Sequence, residues 1–503
     1  MKYTIAVPEY APPEEGTNAP FSDIPLRYSS HRLFSKWQLL ALGVIGVAIA
    51  ISLVSAFTLT LKVGISLLSL VYLLDLLFGF FLIYRALRKD PELHISAEQM
   101  TRLKNKKLPL YTILCPLFGE AKVVPQFIKA IQDLDYPKEK LQVILLLEEE
   151  DDETIAAVKN SSLPRHFEVI VVPSGQPQTK PRACNVGLLQ ARGKYVVIYD
   201  AEDIPDPDQL KKAVVAFSHL PKEVICIQAK LDFYNRSHNL ITRLFTAEYA
   251  LLFNLTLLGL QSINGPIPLG GTSNHFRTFA LRRIGGWDPF NVTEDCDLGI
   301  RLFTQGYRTA IIDSTTLEEA NSQLLNWIRQ RSRWIKGYFQ TLIVHTRTPQ
   351  HFFRSFRTIP HLATFLLVVG GKTIAVVVNP FLWALTLVYF LGPEEFQLFV
   401  KSLYLAPIFY IAAATWIAGN ILNVLYYLLG VLQRGYPELV KFFPLVPLYW
   451  LMMSVAASKA FYQLLVKPHF WEKTIHGFHL EDQTKVRWRF LPERRYEKEA
   501  NSL

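Results

Sequence analysis

Two apolar blocks frame a stretch of short alternating segments. Residues 37–60 (WQLLALGVIGVAIAISLVSAFTLT) carry no charge, which exceeds the ~20 apolar residues needed to cross a bilayer as a helix. Residues 63–84 predict a second span with Asp75 inside it. A charge at that depth faces either protein or a water-filled path. The second block covers 361–465, with spans near 364–391, 403–429 and 444–465. Pro380 predicts a kink in the first of them.

The pattern changes between the blocks. YTILCPL, QVILLLEE, EVIVVPS, KYVVIYDAED and EVICIQAKL are short apolar runs of buried-strand character, and AKVVPQFIKAIQDL and DPDQLKKAVVAFSHL are helical between them. Strands alternating with helices predict an α/β unit with a largely parallel, covered sheet. Ligands of such sheets sit at the carboxyl ends of the strands. Residues 240–260 and 321–346 mix aromatic, apolar and basic positions and are expected to lie in the membrane surface, or else to pack as amphipathic helices on the soluble domain. The resulting division is 1–36 (a polar, Pro-rich, disordered cytosolic lead), 37–86 (two transmembrane helices), 105–350 (a cytosolic α/β domain), 361–465 (a transmembrane block) and 466–503 (a basic cytosolic tail).

Composition fits this picture, with 50% hydrophobic residues. The lead has no apolar core of the kind a cleavable signal peptide carries. The net charge of +10 gathers beside the spans, where it faces anionic headgroups, so nucleic acid is not an expected partner. Only Lys62 separates the first two spans, whereas Arg27, Arg32, Lys36, Arg85, Arg88 and Lys89 flank them. Positive charge thus places the lead and residue 90 onward in the cytosol. Three further spans would leave the basic tail outside. Charge outweighs the count here, so one apolar segment is split or interfacial. Cys115, Cys184, Cys226 and Cys296 are scattered and read as buried, reduced thiols.

Three motifs carry the chemistry. Asp200 and Glu202 stand two apart at a strand end, so their side chains share a face. Such paired hard oxygens suit Mg²⁺ or Mn²⁺ bridging phosphates. Asp203 adds a ligand, steadies the loop or caps the next helix. Asp295 follows Thr293 and Glu294 before an amphipathic helix. It serves either as a general base or as an N-cap. Gln330, Arg333 and Trp334 share one helix face at i, i+3 and i+4. They offer a bidentate anion clamp, a stacking ring and a hydroxyl partner, or else a solvated basic helix. Arg331 points elsewhere, toward lipid or phosphate.

Asp-Ala-Glu at 200–202, Thr-Glu-Asp at 293–295 and Gln-x-x-Arg-Trp at 330–334, in that order between membrane blocks, resemble the membrane-integrated family 2 glycosyltransferases. These include cellulose and hyaluronan synthases and relatives making exopolysaccharides. The resemblance spans about residues 37–480. It implies a Rossmann-like GT-A-type domain inserted between transmembrane helices, and an inverting transferase using a nucleotide sugar, most often a UDP-sugar. It assigns catalysis to Asp295 with Glu294, and the metal to Asp200 and Glu202. Donor contacts fall to Pro116 and Glu120 (loop 116–120, PLFGE), Glu148, Lys180 and Asn185 (loop 180–185, KPRACN), Asp200 and Arg333. Acceptor contacts fall to Gly271, Thr272, Gln330 and Trp334. The early acidic run, Glu148 to Asp152, departs from a plain Asp pair, and Glu148 is favoured for the nucleoside. The acceptor loop is not of the cellulose-synthase type, and the tail has no room for a cyclic-di-GMP-binding barrel. KPHFWEKTIHG at 467–477 reads as a gating loop near the site mouth, or as an interfacial anchor.

The leading expectation is a processive polysaccharide synthase that passes a β-linked glycan through its own helices. It leaves room for an accessory export subunit. A single-addition transferase acting on a lipid acceptor uses the same motifs. A non-catalytic membrane receptor is the third reading.

Overall fold

The computed structural model describes residues 24–103, 107–356, 358–474 and 477. The lead up to residue 23 and most of the basic tail lie outside the described residues.

Two apolar helices come first, α1 (Lys36–Ser55) and α2 (Phe57–Lys89). Ser35 and Gln38 start α1 with a reciprocal capping box, which satisfies amide groups that the first helical turn leaves unpaired. After α2 the pattern of short apolar runs folds as an eight-stranded mixed sheet in the order β3-β2-β1-β4-β7-β6-β8-β5. The strands are β1 (Tyr111–Leu117), β2 (Leu141–Glu148), β3 (Phe167–Val172), β4 (Tyr195–Ile198), β5 (Ile204–Pro205), β6 (Val224–Phe233), β7 (Asn274–Arg277) and β8 (Arg308–Glu318). The β3-β2-β1-β4 half is parallel, β7 runs antiparallel between β4 and β6, and β6 pairs parallel with β8. This is the mixed sheet of a GT-A-type unit.

Strand β2 is buried along its whole length, as expected for a strand covered on both faces. The helices α3 (Val124–Gln132), α4 (Asp152–Lys159), α5 (Lys180–Gln190) and α6 (Gln209–His219) alternate with the strands. Two core clusters cover the two faces of the sheet. One continues through α5 into the membrane-side helices, and the other packs under α3 and α6. All four cysteines are buried free thiols.

Between β6 and β7 lies a helix with a π-helical turn at its centre, α7 (Leu240–Leu251) leading to α8 (Leu257–Ser262). After it come α9 (Glu294–Thr304), α10 (Leu324–Thr346), α11 (Ile359–Phe365), α12 (Lys372–Leu391), α13 (Ala406–Gln433) and α14 (Val446–Val466). A second π segment, Leu366–Gly371, joins α11 to α12, whereas α12 itself runs unbroken through Pro380.

Six described helices are long and apolar enough to cross a membrane. Two of them have both ends on the α/β unit. Leu240–Ser262 connects two strands of the sheet and is mostly buried. The segment Pro437–Val466 begins beside Tyr436, whose hydroxyl donates to Asp232 at 2.6 Å. Just past its end, the carbonyl of Phe470 accepts a bond from Lys336 on α10 at 2.7 Å. Helix α14 packs against α10, with Tyr449 on Trp327 and Gln463 at Lys336. The surface helix expected at 321–346 is α10. Its Trp327, Gln330, Arg331 and Lys336 are buried, because α14 covers the face expected to meet lipid.

Candidate functional site

The parallel strands deliver their carboxyl ends to one edge, and the motif residues collect there. Asp200 follows β4, and Lys180 opens α5. The Lys180 ammonium donates to Asp200 Oδ2 at 2.7 Å and to the carbonyl of Gly271 at 2.8 Å. One cation therefore ties the acidic turn to the glycine loop. Burial alone would lower the Lys180 pKa, but Asp200 and Glu294 outweigh it and raise it. Asp203 closes the turn by accepting the Asp200 amide at 2.7 Å, and it also takes the Thr272 hydroxyl. Thr272 is 1% exposed and committed to this brace, so it does not face an acceptor.

Asp295 lies across from this turn. Helix α9 starts at Glu294 with Thr293 in the capping position and no side-chain cap bond. The N-cap role is therefore not the one Asp295 plays. Its Oδ1 accepts the Cys296 amide at 2.8 Å. A Cβ built on Gly271 would stand 3.6 Å from Asp295 Oδ2 and 4.0 Å from Lys180 Nζ. Glycine thus brings the loop backbone, the carboxylate and the ammonium within one sugar's width. Burial raises the Asp295 pKa, opposed by Lys180 and Arg333. Burial, then Asp295, pushes Glu294 up to about 7.

Helix α10 is pressed onto the Thr293 loop. A Cβ on Gly337 would lie 2.0 Å from the Thr293 hydroxyl oxygen, so only glycine fits at this crossing. One turn on, Gln340 accepts the Val292 amide at 2.9 Å, and one turn back Arg333 donates to the Val292 carbonyl at 3.3 Å. Arg333 therefore enters the site beside Glu294 and Asp295. Trp334 lies 6.3 Å from Tyr249 with the rings 28° apart. Gln330 accepts a bond from Asn321 at 2.9 Å.

Arg331 corrects an expectation. It meets neither lipid nor phosphate: it grips Glu248 of α7 with both guanidinium nitrogens, one bond being 2.8 Å, and donates to the Tyr449 hydroxyl of α14 at 3.1 Å. Glu248 and Tyr449 carried no sequence signal, because their role exists only once three distant helices meet.

The nucleoside side is less uniform. Pro116 lies within β1, opposite Leu146. The Glu120 carboxylate lies 3.5 Å from Lys473. Glu148 ends β2, 5% exposed, with Arg182 at 3.7 Å. Burial, partly offset by Arg182, raises its pKa to about 7. Asn185 turns away: it bonds both the carbonyl and the amide of Trp287, at 2.8 and 3.0 Å. It braces the scaffold, with its side-chain amide committed to Trp287.

Burial and then Asp200 raise Glu202 to about 8. Glu318, at the end of β8, is pushed well above the carboxylate range by burial and by Asp203 and Glu202. The sequence reading missed Glu318. Its signal was the apolar run closing in Leu-Glu-Glu, a strand ending at the same edge. Among the described residues, no group of three or more His, Cys, Asp or Glu is placed to hold a metal unaided. Asp200 and Glu202 nonetheless fit one, because their charge is answered mainly by Lys180. Two hard oxygens plus diphosphate oxygens also make the usual Mg²⁺ environment.

Comparison with known proteins gives a family. The family model described as glycosyl transferase family group 2 matches residues 195–462. A Bacillus subtilis protein described as the probable glycosyltransferase YdaM is 27% identical over 46% of this chain and 56% of its own. Glucomannan 4-beta-mannosyltransferase 1 of Oryza sativa is 26% identical over 49% of this chain and 47% of its own. The chain spans about half the length of these curated relatives. A solved mannosyltransferase from Pyrobaculum calidifontis is 19% identical with a TM-score of 0.48, covering 79% of this chain and 99% of its own.

Proposed function

Since this chain belongs to glycosyl transferase family group 2, we propose that it is an inverting membrane glycosyltransferase that extends a β-linked polysaccharide from a nucleotide-sugar donor. The observation that carries this reading is the convergence of Asp295, Lys180 and the Gly271 backbone beside Arg333. A carboxylate held above its usual pKa removes a proton from an acceptor hydroxyl. Arg333 and Lys180 stand where a leaving diphosphate gathers charge. Gly271 lets a sugar ring approach the backbone, and Trp334 offers a face for stacking. Asp200 and Glu202 would hold Mg²⁺ or Mn²⁺, which when bound neutralises charge on the leaving diphosphate. Pro116, Glu120 and Glu148 surround the nucleoside side.

The donor is a UDP- or GDP-sugar. Mannose is placed early in the test because curated relatives are named glucomannan mannosyltransferases. We also assign the membrane crossing to α1, α2, α11 with α12, and α13. This even number keeps residues after 466 on the side of the site.

The test is to supply the purified protein with Mg²⁺ or Mn²⁺ and a panel of UDP- and GDP-sugars, reading nucleotide release and product size together. A polymer with release above an Asp295→Asn control is expected. A small lipid-soluble product would replace polymerisation by single addition. No release above the control with any donor would overturn the catalytic reading.

A further inference from the structure

Lys336 is fully buried, yet among the described residues no carboxylate stands within ion-pair distance of its ammonium. Its partners are neutral oxygens of one short segment: the carbonyl of Phe470 at 2.7 Å, the Gln463 side chain at 3.3 Å and the carbonyl of Lys467 at 3.5 Å. Burying an ammonium among uncharged acceptors is unfavourable. Here burial and the neighbouring Arg333, partly offset by the more distant Glu472 of the same segment, draw its pKa down to about 8. A methionine would fill the same space without that cost, so the benefit must lie in what the ammonium holds.

It holds the beginning of the strap 467–474. One turn along α10, Gln340 donates to the carbonyl of Pro468 at 3.1 Å, and His469 contacts the carbonyl of Phe290 at 3.2 Å. Four consecutive residues of the strap, 467–470, are thus bonded to α10 and to the loop before Asp295. Beyond this root Glu472 is held again, accepting from Lys459 at 2.7 Å and from Gln463 at 3.1 Å, with Arg329 at 3.7 Å. Trp471 lies under the Arg333 guanidinium at 4.5 Å. Lys473 reaches the Phe118 carbonyl and stands 3.5 Å from Glu120. Gly119 makes room for it, since a Cβ there would sit 2.6 Å from the Lys473 ammonium.

We propose that Lys336 is a positioning residue: it pins the root of the strap to α10, and so lays Trp471 against Arg333 and Lys473 over loop 118–120. Lys336 at the root and Lys459 and Gln463 at Glu472 bracket Trp471, so the strap's aromatic and basic side chains are delivered to the donor side from fixed points. The role rests on the reading of Arg333 and loop 118–120 as donor-side groups, but the fixing of the root does not.

Two readouts separate these. Amide exchange measured on peptides covering 467–474 is expected to speed at least ~10-fold in Lys336→Met and to stay near wild type in Lys336→Arg. In assays with the best donor, Lys336→Met is expected to raise the donor KM ~10-fold with kcat changed less than ~3-fold, and Lys336→Arg to restore it. The double variant Lys336→Met, Trp471→Ala is expected to be no worse than Trp471→Ala alone, because both act through one element. If Lys336→Met is not recovered folded, Lys336→Gln replaces it with the same expected order. Unchanged exchange in 467–474, or full additivity with Trp471→Ala, would overturn the proposal. Absence of transfer with every donor, alongside faster exchange, would sink the glycosyltransferase reading while leaving the root in place.

Discussion

At Asp295 a half-buried carboxylate lies between two cations and a glycine loop, and its protonation state follows from that setting. Because burial raises its pKa, it holds its proton below a folded-state value higher than the ordinary ~3.9 of Asp. A general base works only when ionised. Transfer should therefore fall as pH drops, with an acid limb above the usual Asp range. A pH profile of kcat/KM, with Asp295→Asn reduced ~10²-fold or more at every pH, checks this. Glu294 adds a stability counterpart. Its folded pKa of about 7 exceeds the ~4.3 of a free Glu. The folded state thus binds the extra proton between those values and loses stability as pH rises through them. Glu294→Gln should raise thermal stability by the order of 1 kcal/mol at pH 8 and by little at pH 4, while impairing transfer. Equal effects at both pH values would contradict the burial argument. At this scale the sequence was legible where a motif touches the open edge, as for Asp295, Lys180 and Arg333. It was misleading for Thr272 and Asn185, whose polar groups satisfy the scaffold, because a loop's composition does not say which side its hydroxyl or amide faces.

At the scale of elements, α10 does most of the positioning. Its Gly337 meets Thr293, its Gln340 and Arg333 hold Val292, and its Arg331 joins Glu248 and Tyr449. Gly337→Ala should separate the helix from the loop and reduce kcat far more than it lowers donor affinity, which nucleotide titration and steady-state kinetics together resolve. Breaking the buried Arg331–Glu248 pair from one side should destabilise the protein by roughly 3–5 kcal/mol, and replacing both partners by apolar residues should recover much of it. Thermal unfolding of Arg331→Met and of Arg331→Met, Glu248→Met checks this. Neither a double variant as unstable as the single nor a harmless single fits the geometry. The strand and helix series was readable because period and length agree there. For 321–346 the sequence left a membrane-surface helix and a packed amphipathic helix both open, because aromatic and basic residues suit either; α14 packs on the face that carries Trp327 and Arg331.

For the whole molecule, the four-crossing assignment proposed above uses fewer spans than apolar length offers. Leu240–Ser262 and Pro437–Val466 have the composition of spans, yet both return to the α/β unit. With four crossings, the α1–α2 turn and the turn between α12 and α13 lie opposite the site. Single cysteines at Ala56 and Glu395 should react with an impermeant maleimide from one face of sealed vesicles, and cysteines at Lys89 and Gln433 from the other. The four native thiols are buried, so the background is low. Labelling of Glu395→Cys from the same face as Gln433→Cys would require a different path.

Helix α10 meets α14 through the tilted contact of Trp327 with Tyr449, centroids 5.1 Å apart, and the same helix aims Arg333 at the reaction. Mechanical load on α14 therefore reaches the leaving-group side without passing through the sheet. If α14 lies at the membrane surface, as the four-crossing assignment implies, lateral pressure in the bilayer is expected to bear on the rate. Reconstitution in lipids of graded acyl length should change turnover smoothly while the α/β unit keeps its melting temperature.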